Sequence, residues 1–198
     1  MSPLILASAS LSRARMLKAA GVPFRIVPAQ VDEAALKHES IGKNLDASRI
    51  AHGLAAEKAL AVSQSHPDAI VLGADQILSL DGEIVSKCTS EEDAAVLLRR
   101  LRGRSHALIT AAVIMRDGVE VWSHVDTSRM VVRRYSDDFL RDYIAQAGPA
   151  LVRSVGCYEL ENAGVQLFER VEGDFFSVLG LPLIPVLAAL REQGVIAS

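Results

Sequence analysis

Two β-type runs, His106 to Met115 and Val119 to Val132, sit on either side of Asp117-Gly118. An Asp-Gly pair tolerates positive φ at both positions, which is what a tight two-residue hairpin needs. A long ribbon of this kind is not stable alone in water and must join a larger sheet under a helical cover. The rest of the chain supplies both. Leu4 to Ala7 reads as a buried strand, and after Ser8 to Ser12 a helical pattern (Leu11, Ala14, Leu17, Ala20) ends at Gly21. Phe24 to Val27 reads as a second strand, and residues 31 to 44 as a polar, looping stretch. Residues 45 to 65 carry the strongest helical stripe, through Ala47, Ile50, Ala51, Leu54, Ala55, Ala61 and Val62.

Ala69 to Leu72 and Ile77 to Leu80 form an apolar run around Gly73-Ala74-Asp75-Gln76, followed by a hairpin signal at Asp81-Gly82. A helix is expected from Ser90, with Glu91, Glu92 and Asp93 in its first turn and Ala94, Leu97, Leu98 and Leu101 on its apolar face. Further helices are expected from Ser136 and from about Pro182 to Gln193. Alternating strands and helices around a hairpin argue for an α/β fold with a mixed sheet. No repeat, linker or composition break divides the chain, so one domain is expected over residues 1–198.

Net charge is −3, and the densest basic group, Arg99, Arg100, Arg102 and Arg104, ends a helical segment where cations suit the dipole. A nucleic-acid binder is not expected. The two cysteines, Cys88 and Cys157, make neither a disulfide framework nor a zinc spacing. No stretch approaches the roughly 18 apolar residues of a membrane span, and the start lacks a signal-peptide pattern. These features point to the cytoplasm.

Four features could carry chemistry. Ser8-Ala9-Ser10-Leu11-Ser12-Arg13 puts hydroxyls, helix-start N–H groups and a guanidinium at one strand-to-helix turn, which suits a phosphate; a Ser-capped helix with a solvated Arg is the other reading. Lys58 falls on the apolar stripe of its helix, eight residues after Ile50, so it must either snorkel or pair with an anion. Asp75 follows an apolar run through Gly73, where a carboxylate serves as a general base or metal ligand, or else forms a turn. Gly156 to Gly164 carries Glu159, Glu161 and Asn162 and reads as a binding loop or a plain connection. There is no Walker A, dinucleotide, HExxH or GxSxG signature, and the five histidines show no ligand spacing.

Taken together, these motifs resemble the Maf (septum-formation) family of nucleotide pyrophosphatases. Leu-Ala-Ser-Ala-Ser-Leu-Ser-Arg, Val31-Asp32-Glu33, Glu57-Lys58-Ala59, Gly73-Ala74-Asp75-Gln76, Leu101-Arg102-Gly103 and Gly180-Leu181-Pro182-Leu183 fall in the family's order over nearly the whole chain. The resemblance implies an elongated mixed sheet with flanking helices and two lobes around a central cleft. It implies a homodimer that hydrolyses a nucleoside triphosphate to a monophosphate and pyrophosphate with Mg²⁺ or Mn²⁺. By motif matching, Asp75 is the catalytic carboxylate, and Ser8, Ser10, Arg13, Lys58 and Lys87 face the phosphates. Glu33 joins Asp75 as a candidate metal ligand.

The chain departs from the family pattern at Leu11, where proline is usual, and at Ser86-Lys87-Cys88, where Gly-Lys-Pro is usual. The resemblance places specificity at positions 12, 76 and 161. Gln76 and Glu161 resemble the branch linked to 7-methylguanosine triphosphate, and a carboxylate suits the donors of a guanine edge. Ser12 matches neither branch. The competing expectation is a nucleotide-binding regulator of septum formation that does not turn over its ligand.

Overall fold

The computed structural model describes residues 3–197. The chain forms two compact units, one of Met1–Gln76, Thr110–Asp126 and Asp174–Ser198, the other of Ile77–Ile109 and Thr127–Gly173. The strands are β1 (Leu4–Leu6), β2 (Arg25–Ile26), β3 (Ile70–Leu80), β4 (Glu83–Val85), β5 (Ser105–Arg116), β6 (Val119–Val132) and β7 (Phe168–Glu172). They form one seven-stranded sheet in the order β2-β1-β3-β5-β6-β7, with β4 also paired to β3. The sheet is mixed: β1 runs parallel to both β2 and β3, while β3–β4 and β6–β7 are antiparallel. Three of the four divisions between units fall inside β3, β5 and β6, where no linker composition can mark them, and the fourth falls at 173–174 between β7 and the helix that begins at Phe175.

Both expected hairpin turns form. Asp81 and Gly82 have φ of 52° and 85°, and Asp117 and Gly118 have 52° and 76°, so both central residues are left-handed in each turn. The helices of the first unit are α1 (Leu11–Ala19), α2 (Glu33–Gly42), α3 (Ala47–Ser63), α6 (Phe175–Val178) and α7 (Leu183–Glu192). Those of the second are α4 (Glu91–Leu101) and α5 (Asp137–Ala147), with 3-10 turns at Gly148–Val152 and Ala163–Leu167. Ser10, Asp46, Ser90 and Ser136 cap their helices as their residue types favour.

The stretch read as a loop between residues 31 and 44 is instead helical over Glu33–Gly42. Asp32 caps it by accepting from Ala35 N–H at 2.9 Å, and Glu33, Ala34, Ala35, Leu36 and Lys37 are good helix formers. The helix buries no residue, so it carries no apolar stripe for the sequence pattern to reveal. Strand β7 and the short helix α6 also lie outside the elements expected from sequence.

In the first unit the strand period sorts side chains onto two faces. Leu4, Leu6, Ile70, Leu72 and Ala74 enter a core with Met16 and Leu17 of α1 and Leu183, Val186, Ala189 and Leu190 of α7. Ile5, Val71 and Gly73 therefore point to the opposite face. There α3 comes so close that a Cβ on Gly73 would sit 2.2 Å from the Ala55 carbonyl oxygen and 2.9 Å from Ala59 N. Only glycine permits that approach.

Candidate functional site

The same alternation delivers the site. Asp75 is two residues beyond Gly73 and shares its face, so it meets α3, whereas Gln76 follows Ala74 to the other face. Because Gly73 lets α3 lie against β3, Lys58 reaches the carboxylate: Nζ donates to Asp75 Oδ1 at 2.7 Å. Of the two sequence readings for Lys58, pairing is the one observed. The same ammonium lies 2.9 Å from Glu33 Oε2, at the first turn of α2. Asp75 and Lys58 are each only 7% exposed, while Glu33 is on the surface. A buried ammonium thus bridges one buried and one exposed carboxylate.

Ser8, Ser10 and Arg13 assemble at the β1–α1 turn. Ser10 Oγ caps the helix by accepting from Arg13 N–H at 3.4 Å. Ser8 Oγ accepts from Ser10 N–H at 3.2 Å and from Arg13 Nη1 at 3.0 Å. Arg13 is buried rather than solvated, and its Nε donates to the Gly180 carbonyl at 2.7 Å. Burial pulls the Arg13 pKa below its ordinary value, and the negative charges of Asp75 and Glu33 oppose that pull. Lys37, one helical turn after Glu33, is also lowered by burial with Asp75 opposing, so a third cation feels the same carboxylate. Nothing in the sequence pattern singled Lys37 out, because α2 was not expected to be a helix.

The segment 177–180 is fastened to this region through four successive carbonyls. Gln76 Nε2 donates to Ser177 O at 3.0 Å and Val178 O at 3.1 Å, as well as to Thr110 Oγ1 at 2.9 Å. Thr110 Oγ1 donates to Ser177 O at 2.8 Å. Ser12 Oγ donates to Leu179 O at 3.1 Å, and Arg13 takes Gly180 O. Ser177 Oγ in turn donates to Asp126 Oδ2 at 2.7 Å. Gly180 has φ of 102°, a conformation that side-chain-bearing residues rarely adopt, which accounts for the glycine of Gly180-Leu181-Pro182-Leu183. Thr110 and Ser177, each 1% exposed, were missed by sequence reasoning; for Thr110 the available signal was a polar residue inside the apolar run Ile109 to Met115.

Lys87 and Glu161 belong to the second unit. Lys87 is exposed in the irregular segment 86–90 between β4 and α4, and Glu161 is exposed in the turn before the second 3-10 turn. Arg100, Arg102 and Arg104 each engage a carboxylate of this unit, on Glu83, Asp137 and Asp81. His106 is buried and hydrogen-bonded at 2.6 Å to the Tyr158 hydroxyl, a structural role.

For a divalent metal, no group of three or more His, Cys, Asp or Glu side chains converges among the described residues. Glu33 and Asp75, brought to one ammonium, fit the sparser requirement of Mg²⁺, which takes one or two carboxylates and completes its shell with phosphate and water oxygens.

Comparison with known proteins identifies the family of the chain. The family described as Maf-like protein matches residues 3–193. A nucleoside triphosphate pyrophosphatase of Nitrobacter hamburgensis is 48% identical over 195 residues, covering 98% of this chain and 96% of that protein. Proteins of the same name from Granulibacter bethesdensis and Maricaulis maris are each 46% identical; the first match covers 96% of both chains, the second 99% of both. A solved structure, a HAM1 protein from Coxiella burnetii, aligns with a TM-score of 0.44 at 14% identity, over 68% of this chain and 75% of that one. The chain belongs to the Maf family. Among the described residues, no helix is long and apolar enough to cross a membrane.

Proposed function

We propose that this chain is a nucleoside triphosphate pyrophosphatase that adds water across the α–β phosphoanhydride, releasing a nucleoside monophosphate and pyrophosphate. The observation that carries the reading is the buried Asp75 carboxylate, held by Lys58 at 2.7 Å and surrounded by cations. Asp75 Oδ1 is committed to Lys58, and Oδ2 accepts the proton of the attacking water. Lys58 spends two of its three N–H groups on Asp75 and Glu33 and keeps one for a phosphate oxygen. Arg13, oriented by Ser8 and Gly180, presents its remaining N–H groups to the same charge, with Ser10 at the helix start and Lys87 as further phosphate contacts. Glu33 and Asp75 would hold Mg²⁺ or Mn²⁺, which when bound supplies charge neutralisation on the phosphate oxygens. From the family resemblance we also infer a cytoplasmic homodimer in which residues 1–198 act as one domain.

For the nucleobase, hydrogen-bond direction supports a guanine-type or 7-methylguanosine nucleotide. Two main-chain carbonyls orient the Gln76 amide, so its NH₂ is spent and Oε1 is what it offers a ligand. Glu161 is likewise an acceptor, and the Ser12 hydroxyl proton is used on Leu179. Acceptors select an edge rich in N–H donors. The test is a panel of normal and modified triphosphates with each metal, scoring pyrophosphate against orthophosphate. Pyrophosphate release is expected, fastest with guanine-type nucleotides, and Asp75→Asn should lower turnover about 10²–10⁴-fold. Orthophosphate release would identify a terminal phosphatase instead, and tight binding without release would identify a nucleotide-binding regulator.

A further inference from the structure

Ser177 makes hydrogen bonds to the residues at which the chain leaves or re-enters the first unit, Gln76, Thr110, Asp126 and Asp174. Its N–H donates to Asp174 Oδ2 at 2.7 Å, and its hydroxyl donates to Asp126 Oδ2 at the same distance. Its carbonyl accepts from Gly180 N–H at 3.0 Å, from the Thr110 hydroxyl and from Gln76 Nε2. That oxygen is fixed in place. Thr110 is brought to it by the strand period: Ala112 and Ile114 of β5 pack in one core with Ala74 of β3, and two residues from Ala112 and from Ala74 stand Thr110 and Gln76. The Thr110 hydroxyl has one proton, spent on Ser177 O at 2.8 Å, so towards Gln76 it can only accept. The Gln76 amide thus meets three acceptors, two carbonyls of one segment and one hydroxyl of the sheet. Turned the other way, Oε1 would oppose all three.

We propose that Thr110 is a positioning residue for base selection and acts through Gln76. Among the described residues, its hydroxyl is the partner that ties the amide to the sheet rather than to segment 177–180. Held from both sides, Oε1 keeps one position and one polarity. It is an acceptor, which suits the N1–H of guanine and opposes the lone pair that adenine carries at N1. Without the hydroxyl the amide has only Ser177 O and Val178 O, from consecutive residues, and pivots with that segment. Ser177 O keeps Gly180 N–H and Gln76 as donors, so Thr110→Val orphans no buried carbonyl and should fold. The effect on ligands rests on the reading of Gln76 as a base contact of the proposed pyrophosphatase; the hydrogen-bond lock does not.

The test is calorimetric binding of α,β-methylene-GTP, α,β-methylene-ATP and methylenediphosphonate, with Mg²⁺, to the full-length parent, Thr110→Val and Thr110→Ser. Val keeps the shape and removes the hydroxyl; Ser keeps the hydroxyl and removes the methyl group. The parent's preference for the GTP analogue should fall about five- to tenfold in Thr110→Val and persist in Thr110→Ser. Methylenediphosphonate, which has no base, should bind all three alike. Adding Thr110→Val to Gln76→Met should change the preference no further, because Thr110 acts through the amide. An unchanged preference in Thr110→Val, an equal loss in Thr110→Ser, a parallel loss of methylenediphosphonate affinity, additivity with Gln76→Met, or a parent that does not discriminate would each overturn the role of Thr110. Selective binding without pyrophosphate release from GTP would overturn the pyrophosphatase reading, and a parent preference for the ATP analogue would overturn the guanine reading. In either case, loss of the parent's preference in Thr110→Val but not in Thr110→Ser would still support the lock.

Discussion

Lys58 illustrates how one side chain can be read from sequence and then given its partners by structure. A lysine on an apolar stripe must pair or snorkel, and the reason it pairs is a carboxylate delivered to the same face by the strand period. Removing one member of a buried ion pair strands the other, at a cost of about 3–5 kcal/mol. Lys58→Met should therefore destabilise the protein by about that amount, and adding Asp75→Asn should restore most of the loss; urea unfolding of both variants measures this. Additive losses would mean that Lys58 and Asp75 do not interact. His106 gives a pH prediction of the opposite kind. Burial lowers its pKa from 6.5 to about 4, so between those values the unfolded chain binds a proton that the folded chain refuses. Stability contributed by neutral His106 is present above the unfolded pKa and is lost as pH falls from about 6.5 towards 4, a change on the order of 3 kcal/mol. His106→Phe should abolish that part of the acid sensitivity while adding a pH-independent cost for the unpartnered Tyr158 hydroxyl. Unchanged slopes of stability against pH would remove His106 as the cause.

At the scale of elements, the contact between α3 and β3 governs the site. Gly73→Ala would drive a methyl group into the Ala55 carbonyl, and the strand must then part from the helix. Overpacking of this kind costs about 1–3 kcal/mol, but activity should suffer more than stability, because Lys58 rides on the displaced helix. Comparing urea midpoints with pyrophosphate release tests this: a loss of activity no greater than the loss of folded protein would mean the spacing is not critical. The elements were legible wherever a local signal existed. The Asp-Gly turns, the serine and aspartate caps and the stripes of α3 and α4 all carry their own evidence in neighbouring residues. Helix α2 was illegible because it buries nothing, and the strap at 177–180 because it is held by side chains far away in sequence. Ser12 and Gln76 show the same limit at the site. Their positions came from motif matching, but only the fold reveals that both are hydrogen-bonded to main-chain carbonyls of that strap.

For the whole molecule, the chain path matters more than either unit's own core. Neither unit is continuous in sequence; the chain passes between them inside β3, inside β5, inside β6, and once more at residues 173–174. A strand that unravels in one unit therefore withdraws the ladder partner on which the same strand's other end depends, and partial unfolding leaves unpaired edges. Equilibrium unfolding in urea should accordingly be a single cooperative transition. The aromatic residues provide a built-in assay, since the one tryptophan, Trp122, lies in the first unit and all three tyrosines, Tyr135, Tyr143 and Tyr158, lie in the second. Trp122 fluorescence and tyrosine difference absorbance should share one midpoint and one slope. Separate midpoints would show that the units unfold independently, and would replace the expectation of one domain with two that share strands but not cooperativity.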